Sequence, residues 1–285
     1  KEYMLKRIIS NRRALYALLF VALLYGAALL GVRRLVYRPW ANFSRTPDAY
    51  GWEWEDVRFR AKDGATLHGW YIPGDSHRTV LYCHGNAGNI SHGLRRADIL
   101  KSLGVSVFLF DYRGFGESSG RPTESGLYAD TEAALDWLQE HKGLSGTDVA
   151  VFGRSLGGAA ALELAVRRPV AGVLLESTFT SLADVARAFV PYLPAELFVF
   201  NAFDNMRKIE RINVPVLIMA SIDDEITPFE HGQRLYEEAA EPKFFLTMNG
   251  RHRSHFYRTE QEYVDAIRDF LEFVFGAEQP DLQES

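Results

Sequence analysis

Val149-Ala150-Val151-Phe152-Gly153-Arg154-Ser155-Leu156-Gly157-Gly158 is the stretch that decides the fold. Its first four residues form a continuous apolar run, the pattern of a strand buried on both faces. Glycines at 153 and 157 bracket Ser155, and Leu156–Arg167 follows with helical composition. A strand that passes straight into a helix through Gly-x-Ser-x-Gly presents its serine on a sharp, exposed turn. A serine hydroxyl is a poor nucleophile and needs a base within hydrogen-bond reach. The free N–H groups at the start of the helix favour the negative charge that an attacked carbonyl acquires. The same letters also occur in glycine-rich turns without chemistry. Here the strand before and the helix after favour a nucleophile at Ser155.

Working outward, short apolar runs at Val80–Cys83, Val105–Phe110, Val170–Leu175, Val214–Ala220 and Lys243–Met248 repeat the strand pattern. Helical segments separate them, at Gly93–Leu103, Ser125–His141, Leu156–Arg167, Glu230–Ala239 and Glu260–Val274. This alternation implies a mostly parallel sheet covered by helices. Ahead of it, Glu53–Arg60 and Thr66–Ile72 flank Lys62-Asp63-Gly64, a hairpin signature because Asp-Gly takes the positive φ angles of a tight turn. The expected architecture is therefore α/β, a doubly wound, mostly parallel sheet with an N-terminal hairpin, spanning residues 50–277. Phe179–Asn213, rich in Phe, Leu and Val, forms a small helical cap over the site (179–213), and its composition favours an apolar acyl group. The polar tail 278–285 is expected to be disordered.

The 285 residues suit one large catalytic domain with a short appendage. A net charge of -5 leaves no basic excess to neutralise phosphates, which argues against nucleic-acid partners. Cys83 is the one cysteine, so no internal disulfide forms. The N-terminus carries a different signal. After a basic flank, residues 1–13, come nineteen uncharged residues, Ala14–Val32. As a helix they would span roughly 28 Å, close to the hydrocarbon thickness of a bilayer. A cleavable signal peptide has a shorter apolar core of about 7–15 residues. A single-pass membrane anchor at 14–32 is expected, with Tyr37 and Trp40 at the interface. Basic residues are nearly balanced across it, so they give no orientation. Residues 33–49 read as a linker, and a chain beginning near Tyr50 is expected to keep its activity on short esters.

Acyl transfer also requires two backbone donors aimed at the developing oxyanion. The N–H of Leu156 supplies one, and that of Asn86, in Cys83-His84-Gly85-Asn86-Ala87-Gly88-Asn89, supplies the second. His84 is read as a residue that fixes this loop. The acid and base should follow Ser155 in that order. In Ser221-Ile222-Asp223-Asp224-Glu225-Ile226-Thr227-Pro228 three acids compete, and acids before a helix are often caps. In Asn249-Gly250-Arg251-His252-Arg253-Ser254-His255 either histidine can serve. The histidine pair lacks a second ligand cluster with metal spacing, so no metal is expected.

Taken together, His84-Gly85-Asn86-Ala87-Gly88-Asn89, Asp111-Tyr112-Arg113-Gly114-Phe115-Gly116-Glu117-Ser118 and Gly153–Gly158 resemble the α/β-hydrolase superfamily, over essentially all of residues 50–275. Within it they resemble the single-domain, often membrane-anchored serine hydrolases of the monoacylglycerol-lipase and acyl-protein-thioesterase type. The resemblance implies a Ser155–Asp224–His252 triad, an acyl-enzyme and no cofactor. It makes Asp223 a loop residue and Asp111–Ser118 a structural loop. Arg253 and Ser254 depart from the family's base loop, which keeps His255 as a second choice of base. The implied substrate is a small acyl ester. The alternatives are a thioesterase or peptidase using the same triad, or an inactive α/β-hydrolase fold used for binding. No oligomeric state follows from the sequence.

Overall fold

The computed structural model describes residues 30–189, 203–253 and 260–276, with isolated positions between 16 and 27. Among the described residues eight strands form one sheet. They are β2 (Glu55–Arg60), β3 (Thr66–Ile72), β4 (Thr79–Cys83), β6 (Ser106–Asp111), β7 (Val149–Arg154), β8 (Gly172–Glu176), β9 (Val216–Ser221) and β10 (Lys243–Met248), in the order β10-β9-β8-β7-β4-β6-β3-β2. From β6 to β10 every pairing is parallel, while β2 and β3 form the antiparallel hairpin and β3 runs antiparallel to β6. Gly64 in its turn has φ 92°, a region that favours glycine.

Helices cover both faces, and the strands serve them with alternate side chains. Leu81, Phe108 and Val151 pack towards α3 (Glu124–Lys142), α4 (Leu156–Arg167) and α7 (Phe229–Glu238). Their strand neighbours Val80, Leu109 and Phe152 pack towards α2 (Leu94–Ser102) and α8 (Glu260–Phe275). Burial on both faces explains why these strands read as continuous apolar runs. The chain goes from β4 to β6 on one side of β4 and then to β7 on the other. That reversal of strand order opens a crevice at the carboxyl ends of the strands, where α/β sheets place their ligands. The loops after β4 and β7 both end there. Of the cap, α5 (Leu182–Phe189) and α6 (Asn205–Ile209) are described, and residues 190–202 lie outside the described residues.

Residues 33–49 are where the expectation of a linker fails. Residues 30–36 are helical (α1), and β1 (Arg38–Pro39) pairs in parallel with β5 (Ala87–Gly88). Arg38 N–H donates to Asn86 O at 2.9 Å and Trp40 N–H to Gly88 O at 3.0 Å. The Asn89 amide donates to Asn42 O at 2.8 Å, and Arg33 donates to Pro122 O at 2.8 Å. Phe43 lies 4.9 Å from Trp70, centroid to centroid. Proline and small polar residues made the segment look unstructured, but several of its backbone groups pair with the loop after β4 and, at Trp40 O, with Gly116 N–H. Such pairing leaves no local periodicity. Nine of the nineteen residues of the apolar segment 14–32, and all of the tail 278–285, lie outside the described residues. Among the described residues no helix is long and apolar enough to cross a membrane.

Candidate active site

The turn from β7 to α4 is strained at one residue. Ser155 has φ 51° and ψ −116°, a backbone conformation that costs a non-glycine residue about 1–3 kcal/mol. Its N–H donates to Glu176 O at 2.8 Å, and its carbonyl accepts Gly158 N–H at 3.0 Å. The flanking glycine at 157 is required by space. A Cβ there would stand 1.9 Å from Cys83 O, so no side chain fits between the elbow and the end of β4. The turn aims Ser155 into a cavity of about 590 Å³ whose walls include Asn86, Leu156, Phe179, Leu182 and Thr227. Leu156 is the first residue of α4, so its N–H has no intrahelical acceptor.

At the carboxyl ends of β9 and β10 the three neighbouring acids take different partners. Asp224 Oδ2 lies 2.7 Å from His252 Nδ1, and both side chains are buried. Its Oδ1 accepts the N–H groups of Ile226 at 2.9 Å and Thr227 at 2.8 Å. Burial alone would raise the Asp224 pKa. The hydrogen bond and charge of His252, with the N–H groups of Thr227 and Ile226, outweigh it and hold the carboxyl below its usual value. Asp223 accepts Gly250 N–H at 3.0 Å, and Glu225 accepts His252 N–H at 3.0 Å. These two acids hold the loop, and Asp224 alone of the three meets the imidazole. His255 lies outside the described residues.

His84 and Cys83 sit where β4 runs into the loop that carries Asn86. His84 Nδ1 donates to Gly85 O at 2.7 Å, and burial depresses its pKa, which keeps the ring neutral. Burial pushes the Cys83 thiol up to about 12, so it forms no thiolate nucleophile at neutral pH. Asp111 Oδ1 accepts Ile90 N–H at 2.9 Å, and Ser118 Oγ donates to Asp111 O at 2.7 Å, ties that hold the loops together. No group of His, Cys, Asp and Glu among the described residues could hold a metal ion.

Residues 78–200 match the family profile described as the alpha/beta hydrolase fold. An uncharacterised protein of Mycobacterium tuberculosis is 39% identical over 267 residues, covering 91% of this chain and 95% of that protein. The alpha/beta hydrolase domain-containing protein WAV2 of Arabidopsis thaliana is 34% identical over 241 residues, covering 75% of this chain and 78% of that protein. The chain belongs to the α/β-hydrolase superfamily. An esterase of Pyrococcus furiosus superposes with a TM-score of 0.73 at 22% identity, over 85% of this chain and 98% of that one, a likeness of fold.

In this α/β-hydrolase several residues that pattern reading passed over support the site. Glu176, fully buried at the end of β8, accepts Arg96 Nε at 2.7 Å, Arg154 Nε at 3.1 Å and Tyr263 OH at 2.7 Å. A buried carboxylate needs such partners, because an unpaired charge there is strongly destabilising. Arg154 then reaches across with Nη2 to His252 O at 2.7 Å, tying the Ser155 turn to the histidine loop. Thr227 Oγ1 lies 2.9 Å from Asp224 Oδ2 and 3.2 Å from His252 Nδ1. The sequence did carry one signal of this, an acid closing the apolar run Gly172-Val173-Leu174-Leu175-Glu176. Arg154→Gln is expected to lower kcat on a p-nitrophenyl ester by about 10²-fold, the scale of a misplaced catalytic group. Steady-state kinetics and a thermal melt check it, and the melt should fall as well because Glu176 loses a partner.

Proposed function

We propose that this α/β-hydrolase is a serine esterase that cleaves carboxylic esters of apolar acyl groups. The observation that carries the proposal is a strained Ser155 facing a largely apolar cavity, with His252 Nδ1 held on a buried, ionised Asp224 across the same crevice. His252 takes the Ser155 proton as Oγ attacks the ester carbonyl, and the N–H groups of Asn86 and Leu156 receive the oxyanion. The imidazolium returns that proton to the leaving alcohol, which gives an acyl-enzyme. Water then attacks, its proton passing through His252 to Ser155, and the carboxylic acid leaves. Asp224 fixes the imidazole tautomer throughout. The apolar segment 14–32 is read as a membrane anchor, which would bring the site to lipid-borne esters.

Turnover of p-nitrophenyl esters of graded acyl length tests this. Each methylene buried in the cavity is worth about 0.8 kcal/mol, or roughly fourfold. kcat/KM is expected to climb with chain length until the cavity is filled and then level off. Uniform turnover across lengths, or faster cleavage of matched thioesters or amides, would count against an ester-cleaving acyl site.

The docked N-terminal segment changes the expectation for truncation. Val32, Leu35 and Val36 line the acyl cavity, and β1 holds the Asn86 loop by its backbone. Removing residues 1–49 is expected to reduce short-ester kcat/KM by roughly 10²-fold, because the oxyanion donor loses its support. Comparing the two purified forms on p-nitrophenyl acetate checks this, and equal rates would return residues 33–49 to the status of a tether.

A further inference from the structure

A second cavity, of about 330 Å³, adjoins the acyl cavity and reaches His252. The two share Arg38, Asn86 and Ile226 on their walls, so the carbonyl position beside Asn86 stands at their junction. Their chemistry is opposite. The acyl cavity is lined mainly by Val, Leu, Ala and Phe side chains, whereas the second wall carries Arg38, Arg95, Arg96, Arg154 and Arg253 and, among the described residues, no carboxylate. This concentration of guanidinium groups sits in a chain whose net charge is -5.

The nearby acids have other partners. Glu176 takes Arg96 and Arg154, while Asp98 and Glu260 take Arg95. Glu225, on the acyl side, is held by Arg251 and the His252 N–H. Arg38 and Arg253 form no ion pair among the described residues, and both are exposed at the cavity. Two guanidinium groups beside a concave wall suit a phosphate, whose oxygens take their paired donors.

His252 tells which part of the substrate enters this cavity. The base that protonates the leaving alcohol must lie on the alcohol's side of the carbonyl. We propose that the leaving alcohol carries a phosphate group held by Arg38 and Arg253. The substrate class is then a single-chain acyl ester of a phosphate-bearing alcohol, a lysophospholipid. This inference rests on the serine-ester hydrolysis proposed above. Water adds across the acyl ester alone, giving a fatty acid and the phosphate-bearing alcohol, and the phosphate ester stays intact.

The test compares 1-dodecanoylglycerol with 1-dodecanoylglycerol 3-phosphate, both monomeric, on the full chain and on an Arg38→Gln/Arg253→Gln variant. The quantity read is the ratio of kcat/KM for the phosphate ester to that for the neutral one. The parent is expected to favour the phosphate ester at least tenfold, with the preference shrinking as salt screens the charges. In the double variant the ratio should fall towards one. Arg38→Lys/Arg253→Lys should retain part of it, and Arg34→Gln, on the same segment but outside the cavity, should retain all of it. A parent ratio of one or less, or a preference that survives the double glutamine variant, overturns the proposal. Competitive inhibition by glycerol 3-phosphate without any preference between the esters assigns the cavity to a free phosphate compound and also overturns it. So does weakened binding of the double variant to anionic vesicles with an unchanged ratio, which assigns the arginines to a membrane surface. Ser155→Ala separates the two levels: if it still turns over the neutral ester, the esterase mechanism fails, whereas a flat ratio with a dead Ser155→Ala removes only the phosphate group.

Discussion

Ser155→Ala is expected to lower kcat for a p-nitrophenyl ester by about 10⁶-fold, the scale seen when a nucleophile is removed from a working triad. The residual rate reflects only binding and the oxyanion donors. KM should change little, because the acyl cavity keeps its walls. Stability supplies a second readout at the same residue. Alanine at φ 51° keeps the strain, so its melting temperature should stay near that of the parent. Ser155→Gly is equally dead in turnover but relieves a conformation that costs about 1–3 kcal/mol, so its melting temperature should rise. A dead but stabilised glycine variant shows a residue kept in strain for its chemistry. Stopped assays at high enzyme concentration and differential scanning calorimetry measure the two effects.

His252→Ala is expected to be nearly as severe, again about 10⁶-fold in kcat. Asp224→Asn should cost about 10⁴-fold, since an amide keeps the shape but favours the wrong tautomer. Asp223→Asn retains an oxygen for the Gly250 N–H and should stay within a few-fold of the parent. The contrast between adjacent residues is the informative part, because both variants are isosteric and differ only in partner. The Asp224 carboxyl is held below its usual value, so it stays charged as pH falls through the range where an ordinary aspartate begins to protonate. Loss of activity on mild acidification should therefore not come from Asp224, and in Asp224→Asn the midpoint of any acid limb reports the histidine without its ionic partner.

How much of this was legible depended on whether the cause was local. The central strands of the parallel sheet are buried on both faces, so Val80–Cys83 and Val149–Phe152 announced themselves by composition alone. The start of β9 at Val216, two residues beyond the expected Val214, follows from Pro215, which cannot donate to a sheet ladder. The elbow was legible because Gly-x-Ser-x-Gly sits between a strand and a helix. The roles of Asp223, Asp224 and Glu225 were not separable from the residues alone, since three consecutive acids differ only in where the turn points them. Spacing within the resembling family singled out Asp224, and it is the Asp224 carboxylate that meets His252 Nδ1. The β1–β5 pairing left no trace in the sequence, and the Arg154–Glu176 bridge left only the acid that closes an apolar run, because each joins residues far apart with no repeating pattern. His255 and residues 190–202 of the cap fall outside the described residues.

A serine that acts as the nucleophile reacts covalently with an activated phosphonate, so labelling decides the role of Ser155. The full-length chain is treated with a fluorophosphonate probe, digested, and the modified peptide sequenced by mass spectrometry. Modification at Ser155, absent from the Ser155→Ala variant and much slowed in His252→Ala, is the predicted result. Modification at another serine, or full labelling of Ser155→Ala, would contradict it.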